Sequence, residues 1–145
     1  MAPSPQVICS SFQVRLDRGP DLSDITAELQ QVVNGSGVAF GQLSAVMVGS
    51  TGSLTTIEYE PGVVEDLKRA VERMAPPGED YAHERAWHDG NGHSHVQAAM
   101  MGPSITLAVR NHRLELGTWQ QVVAFNHDNR PRTRRVEVTL IGMHE

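Results

Sequence analysis

The 145-residue sequence predicts an α+β fold: a single domain, residues 1–145, with a mainly antiparallel β-sheet, two longer helices and one short helix. Three observations carry this reading. Two segments place apolar residues at helical spacing, one from Asp21 to Val33 and one opening at Pro61. From Ser104 onward the chain is a run of strand-like segments separated by short polar turns. Strands and helices do not alternate regularly, which argues against a parallel βαβ sheet.

Taken in order, Gln6–Leu16 alternates in part and reads as a strand. Asp21–Val33 carries Leu22, Ile25, Leu29 and Val32 at helical spacing, with Asp21 or Ser23 as cap and Asn34-Gly35-Ser36-Gly37 as the stop. Gln42–Val48 and Leu54–Tyr59 are strands by their apolar and β-branched content. Pro61 opens the second helix, in which Val64, Leu67, Val71 and Met74 share a face, and Pro76-Pro77 ends it. The final strands are Ser104–Val109, Arg113–Gly117, Gln120–Phe125 and Arg134–Ile141, with turns at Arg110–His112 and Asn126–Thr133. Two long helices are too few to cover such a sheet, so burial of part of it by other subunits is expected.

Composition excludes several classes. Hydrophobic and charged contents of 39% and 20% are those of an ordinary globular domain, and no apolar run has the length of a membrane span. A net charge of −5 argues against a general nucleic-acid binder. Cys9 is the only cysteine, which excludes an intrachain disulfide, fits a reducing compartment and is expected to be a buried strand residue. The N-terminus shows no secretory pattern, so the cytoplasm is the expected location.

Chemistry concentrates in Tyr81–Met101, which holds four of the seven histidines: His83, His88, His93 and His95. The spacing matches no strict metalloenzyme signature. Ser94 with Gln97 fits a capping box that would start a short helix ended by Gly102-Pro103. That reading keeps His93 extended before the cap and puts His95 on the first turn. Its helix N-terminus would hold the imidazoles neutral and could bind an anion. Both a solvated loop and a metal or catalytic site fit the pattern. Glu58 and Glu60 flank Tyr59 and point to one side of a strand, fit to serve as acid, base or ligand or to stand on a solvated face. Arg130, Arg132, Arg134 and Arg135 crowd one turn, fit to hold a phosphate or to form salt bridges. Gly49–Ser53 is loop-like but lacks a Walker lysine, and no G-x-S-x-G elbow is present.

The stretch GPSITLAVRNHRLELGTWQQVVAF, followed by DNRPRTRR, resembles the YjbQ-like family, often labelled secondary thiamine-phosphate synthase. The likeness extends upstream through GSTGSLTTIEYEPGVVEDL and YAHERAWHDGNGHSHV, over nearly the whole chain. It implies a compact α+β subunit in a homotrimer, a polar site near the subunit boundary, and weak joining of a pyrimidine pyrophosphate to a thiazole phosphate. By the same resemblance His83, His93 and His95 match family histidines and are the candidate ligands of a divalent metal such as zinc. Glu58 matches an acidic family position and, with Asp89, is a candidate proton carrier. Arg132 and Arg130 in the arginine turn, and Trp119 and Gln120 in the GTWQ motif, are candidates to bind a small phosphorylated metabolite. The chain departs from the family at Ser50-Thr51-Gly52, where many members have H-T-[TS]-A, and at Asp128–Arg132, where many have D-G-P-R. A non-catalytic trimer that binds a metal or small anion is the alternative.

Overall fold

A computed structural model describes residues 2–145. In chain order the elements are β1 (Gln6–Leu16), β2 (Asp21–Asp24), α1 (Thr26–Ser36), β3 (Phe40–Met47), β4 (Gly52–Ile57), α2 (Pro61–Met74), α3 (Glu84–Trp87), α4 (Gly92–Met101), β5 (Ser104–Arg110), β6 (Arg113–Leu114), β7 (Gln121–Asn126) and β8 (Arg132–Met143). The α+β class and the antiparallel pairing are as expected from the sequence, but the strands form two sheets rather than one. The larger has the order β1-β8-β3-β5-β6 and the smaller β2-β7-β4. Every strand pair is antiparallel.

The layering follows from which face of each strand is apolar. Leu43, Met47, Val136, Val138 and Leu140 of the large sheet meet Leu54, Val122 and Ala124 of the small one, with Leu29 and Val33 of α1 closing the core. The opposite face of the small sheet carries Leu22, Val123 and Phe125, against which α2 sets Val71, Val64 and Leu67, and α4 sets Met101. Strand β7 is therefore buried on both sides, which explains its unbroken VVAF run. Full burial of a side chain such as Leu43 stabilises the fold by roughly 1.5–3 kcal/mol.

Helix α2 starts as expected. Glu60 accepts hydrogen bonds from Gly62 N at 2.7 Å and Val63 N at 2.9 Å, and Pro61 occupies the first turn. Glu60 is thus a cap, not half of a catalytic pair. The first helix begins later than its periodicity suggests. Residues Asp21–Asp24 pair with Asn126–Val123 as a strand, and Asp24 accepts from both the backbone N–H and the hydroxyl of Thr26. Leu22 fits either period, and pairing with β7 decides it.

The outer face of the large sheet is uncovered in the single chain. Val7, Phe40, Val46 and Ile141 are exposed there. Cys9 is exposed too, correcting the expectation of burial: it shares the outward face with Val7, while Ile8 and Phe12 point inward. Among the described residues no helix is long and apolar enough to cross a membrane.

Candidate functional site

The polar residues gather at one end of the small sheet, where β7 runs into the turn before β8. Asn126 anchors that turn: its side-chain N–H groups donate to the carbonyls of Asp17 at 2.8 Å and Arg130 at 3.0 Å. Its oxygen accepts from Asp128 N at 3.1 Å and Arg134 Nη2 at 2.7 Å. Asp128, almost fully buried, accepts from Thr51 Oγ1 at 2.9 Å and from Arg132 Nε at 3.1 Å. Burial alone would raise its carboxyl pKa. Hydrogen bonds from the Asn91, Thr51 and Arg132 side chains outweigh that and hold it below the ordinary value.

The histidine stretch folds differently from its sequence reading. Helix α4 begins at Gly92, so Ser94 lies inside the first turn and is not the cap. Ser94 Oγ sits 2.5 Å from Asn91 Oδ1 and 2.6 Å from the His127 carbonyl, and its single proton serves one at a time. The helix N-terminus already holds an anion: Glu84 accepts from Gly90 N at 2.7 Å and Gly92 N at 3.0 Å. The site expected there for a ligand phosphate is filled by the protein's own carboxylate.

A helical backbone from Gly92 also separates His93 from His95. Two residues apart on a helix lie roughly 200° around the axis, on opposite sides. His95 faces His83, with ring centres 4.6 Å apart, and lines a small pocket of about 260 Å³ with Gly49, Ser50 and Gly52. His93 instead lines a cavity of about 400 Å³ with Arg18, Glu72, Gln97 and His127. The expected trio of His83, His93 and His95 therefore does not converge on one point. His83 Nε2 lies 3.1 Å from Asp89 Oδ1, and the His95 ring stands beside the His83 ring, tilted by 47°. Donor atoms of His83, Glu84 and Asp89 lie within 4.8 Å of one another. Asp89 also accepts from Asn91 N at 3.0 Å, and a hydrogen bond from Asn91 N with the neighbouring His83 keeps its pKa low against the opposing effect of desolvation.

Glu58, Trp119 and Gln120 stand apart. They lie at the end of the small sheet where Ile57 pairs with Gln121, whereas the arginine turn lies where Gly52 pairs with Asn126. Five residue steps of strand separate those ends, about 17 Å. Glu58 and Trp119 are exposed, and Gln120 donates to Thr56 Oγ1 at 3.3 Å. Within one chain these three do not join the histidines. Arg130 is exposed on the turn, and Arg132 is committed to Asp128.

The sequence reading missed His127, Gln97 and Ser53 as a unit. Gln97 Nε2 donates to the Ala75 carbonyl at 3.0 Å, which leaves its oxygen facing His127 Nδ1 at 2.9 Å. That arrangement assigns the proton to Nδ1, so Nε2 accepts from Ser53 Oγ at 2.8 Å. The imidazole stacks on Phe125, with ring centres 4.2 Å apart. Burial above all, then the positive Arg134, pushes its pKa down to about 3. Burial lowers the His93 pKa as well. The available signal is a histidine directly after the strand that carries the VVAF run, in a stretch whose sequence reads as a turn.

Comparison with known proteins places this geometry among relatives. The family model described as UPF0047 protein YjbQ-like matches residues 10–143. A UPF0047 protein of Methanothermobacter thermautotrophicus is 31% identical over 94% of this chain and 94% of its own length. One from Archaeoglobus fulgidus is 33% identical over 81% of this chain and 89% of its own. The crystal structure of a YbjQ-like protein of unknown function from Sulfolobus solfataricus superposes with a TM-score of 0.91 at 27% identity, covering 96% of this chain and 99% of that one.

Proposed function

The chain belongs to the YjbQ-like UPF0047 family, and from that premise we propose that it binds a divalent metal ion and a small phosphorylated molecule where α4 meets the Gly49–Gly52 loop. The observation that carries the reading is the His83–His95 pair. Two imidazoles on one tetrahedral zinc ion, at Zn–N distances of about 2.0–2.1 Å, set their ring centres roughly 5 Å apart. The observed separation is 4.6 Å. The imidazole and carboxylate donors of His83, Glu84 and Asp89, with His95 beside them and no thiolate, suit zinc or a similar first-row ion. Such an ion would supply positive charge to a phosphoryl oxygen or leaving group. Asp89 and His83 share a hydrogen bond and would hold or pass a proton, and Arg132 at the adjacent turn would balance phosphate charge.

The reaction proposed is group transfer on a phosphorylated heterocycle, with thiamine-phosphate formation as the example that the family resemblance implies. A homotrimer is the proposed assembly, supported by the exposed apolar residues on the outer face of the large sheet. One observation favours a binding role without turnover: Glu84 and Asp89 are both tied to backbone N–H groups, and Glu58 is at the far end. Elemental analysis of the purified protein, with pyrophosphate release from a pyrimidine pyrophosphate and a thiazole phosphate, decides between them. Stoichiometric metal with turnover supports the enzyme. Metal without turnover on these or screened phosphorylated metabolites supports the binding role, and absence of both metal and ligand overturns the proposal.

A further inference from the structure

We propose that the cavity between the β1–β2 turn, the end of α2 and the first turns of α4 binds a free α-amino acid with an uncharged side chain. The cavity measures about 400 Å³, a size ordinary for a small-molecule site. Two charges line it, Arg18 on the turn and Glu72 on α2, and both residues are exposed. Among the described residues neither makes an ion pair, with the other or with any third group. A cation and an anion thus border one cavity without pairing. Asn129 adds a fixed acceptor on the same lining. Its Nδ2 donates to the Asp89 carbonyl at 2.8 Å, which leaves Oδ1 without a protein partner yet not buried.

The walls hold these groups in place and add no charge. Arg18 lies between two residues tied to the β7–β8 turn. The Asp17 carbonyl accepts from Asn126 Nδ2 at 2.8 Å, and Gly19 N donates to the Asp128 carbonyl at 2.8 Å. Val71, next to Glu72, is buried against the small sheet, and the Ala75 carbonyl at the end of α2 accepts from Gln97 Nε2 at 3.0 Å. Gln97 and His127 form the buried wall. Their side-chain polar atoms are taken up by Ala75, Ser53 and each other, and the imidazole is neutral. Burial lowers the His93 pKa, Glu72 opposes that and Arg18 adds to it, so both charges act on one ring of the lining. A ligand with a carboxylate for Arg18 and an ammonium for Glu72 and Asn129 Oδ1 matches this set. A sphere of that volume is roughly 9 Å across, and an α-amino acid bonded at both ends through contacts of about 2.8 Å spans roughly 8 Å. The remaining lining, with Pro20 and Pro77, offers no third charge, so the ligand's side chain is uncharged. His93 and His95 lie on opposite sides of α4, so this site is separate from the His83–His95 pair.

The test is calorimetric titration of L-alanine, L-serine, L-threonine, L-valine, L-methionine and L-glutamine into the full chain, each up to about 10 mM. A chelator is present, so that no metal ion holds the probe. Saturable binding of at least one amino acid, at one site per chain, is expected. Its methyl ester, which lacks the carboxylate, and its N-acetyl form, which lacks the ammonium, should each bind at least about tenfold more weakly. Arg18→Gln and Glu72→Gln should each weaken the free amino acid at least about fivefold, and the fold should survive because both residues are exposed. Glu65→Gln, on the same helix but paired with Arg69 and outside the cavity lining, should stay within about twofold of the unmodified protein. No saturable binding by the unmodified protein, equal affinity for the blocked forms, or a loss in fewer than both of the Arg18 and Glu72 variants overturns the proposal.

Discussion

His127 should make the protein acid-sensitive in a window that its own substitution removes. Its pKa falls from 6.5 to about 3 in the folded protein, caused first by burial and then by the positive Arg134. The unfolded chain therefore takes up the proton before the native one does. Stability is fully present above about pH 6.5 and is lost progressively as the pH falls toward 3. Each pH unit below 6.5 costs about 1.4 kcal/mol, so lowering the pH from 7 to 5 should remove about 2 kcal/mol through this one residue. His127→Gln does not titrate and keeps an amide able to face Ser53 and Gln97. Urea unfolding of both proteins at pH 7 and pH 5, at one protein concentration, measures the difference. His93, also pushed down by burial and adding its own charge to the His127 shift, is present in both proteins, so its own contribution largely cancels. The variant should be less stable at pH 7 yet lose about 2 kcal/mol less on acidification. Equal losses in the two proteins would refute the claim that the imidazole is held neutral.

Three further outcomes follow from the geometry. Glu60→Ala should lower the melting temperature by a few degrees through loss of the α2 cap, while Glu58→Gln, at the far end of the small sheet, should change neither metal content nor ligand affinity. Arg132→Lys should weaken a phosphorylated ligand by about 1–3 kcal/mol. It should cost the fold less than about 1 kcal/mol, because the pair with Asp128 is 43% exposed on the arginine side. Sedimentation at micromolar concentration should give three times the chain mass; a clean monomer would contradict the trimer and leave the outer sheet face unexplained.

Much of the fold is legible in the residues, because local physics and tertiary packing agree there. Pro61 with the Val64–Leu67–Val71 stripe gives the start and the buried face of α2, and the alternation of Val136, Val138 and Leu140 gives the buried face of β8. The errors occur where local patterns compete. Leu22 satisfies a helical period, yet Asp21–Asp24 pairs with β7 because an open sheet edge offers hydrogen bonds that a helix start cannot. Ser94 and Gln97 have the spacing of a capping box, but Gln97 turns inward to orient His127 and Ser94 turns toward Asn91 and the His127 carbonyl. That one-turn extension of α4 parted His93 from His95. At the arginine turn, four similar residues carry no local mark of depth. Only the β8 alternation distinguishes Arg134, which points inward with Val136, from Arg135, which points outward and pairs with Glu137. The two ends of β4 and β7 are likewise invisible to motif reading, and Glu58, Trp119 and Gln120 fall at the end without histidines.

Metal content in two single-histidine variants tests the account most directly. His93 and His95 are neighbours in sequence and lie on opposite sides of α4, so only His95 faces His83. Purified His95→Ala should lose its bound metal, while His93→Ala should retain it at the level of the unmodified protein. Equal loss in both, or an unmodified protein free of metal after growth and dialysis in zinc, would contradict the site described at the His83–His95 pair.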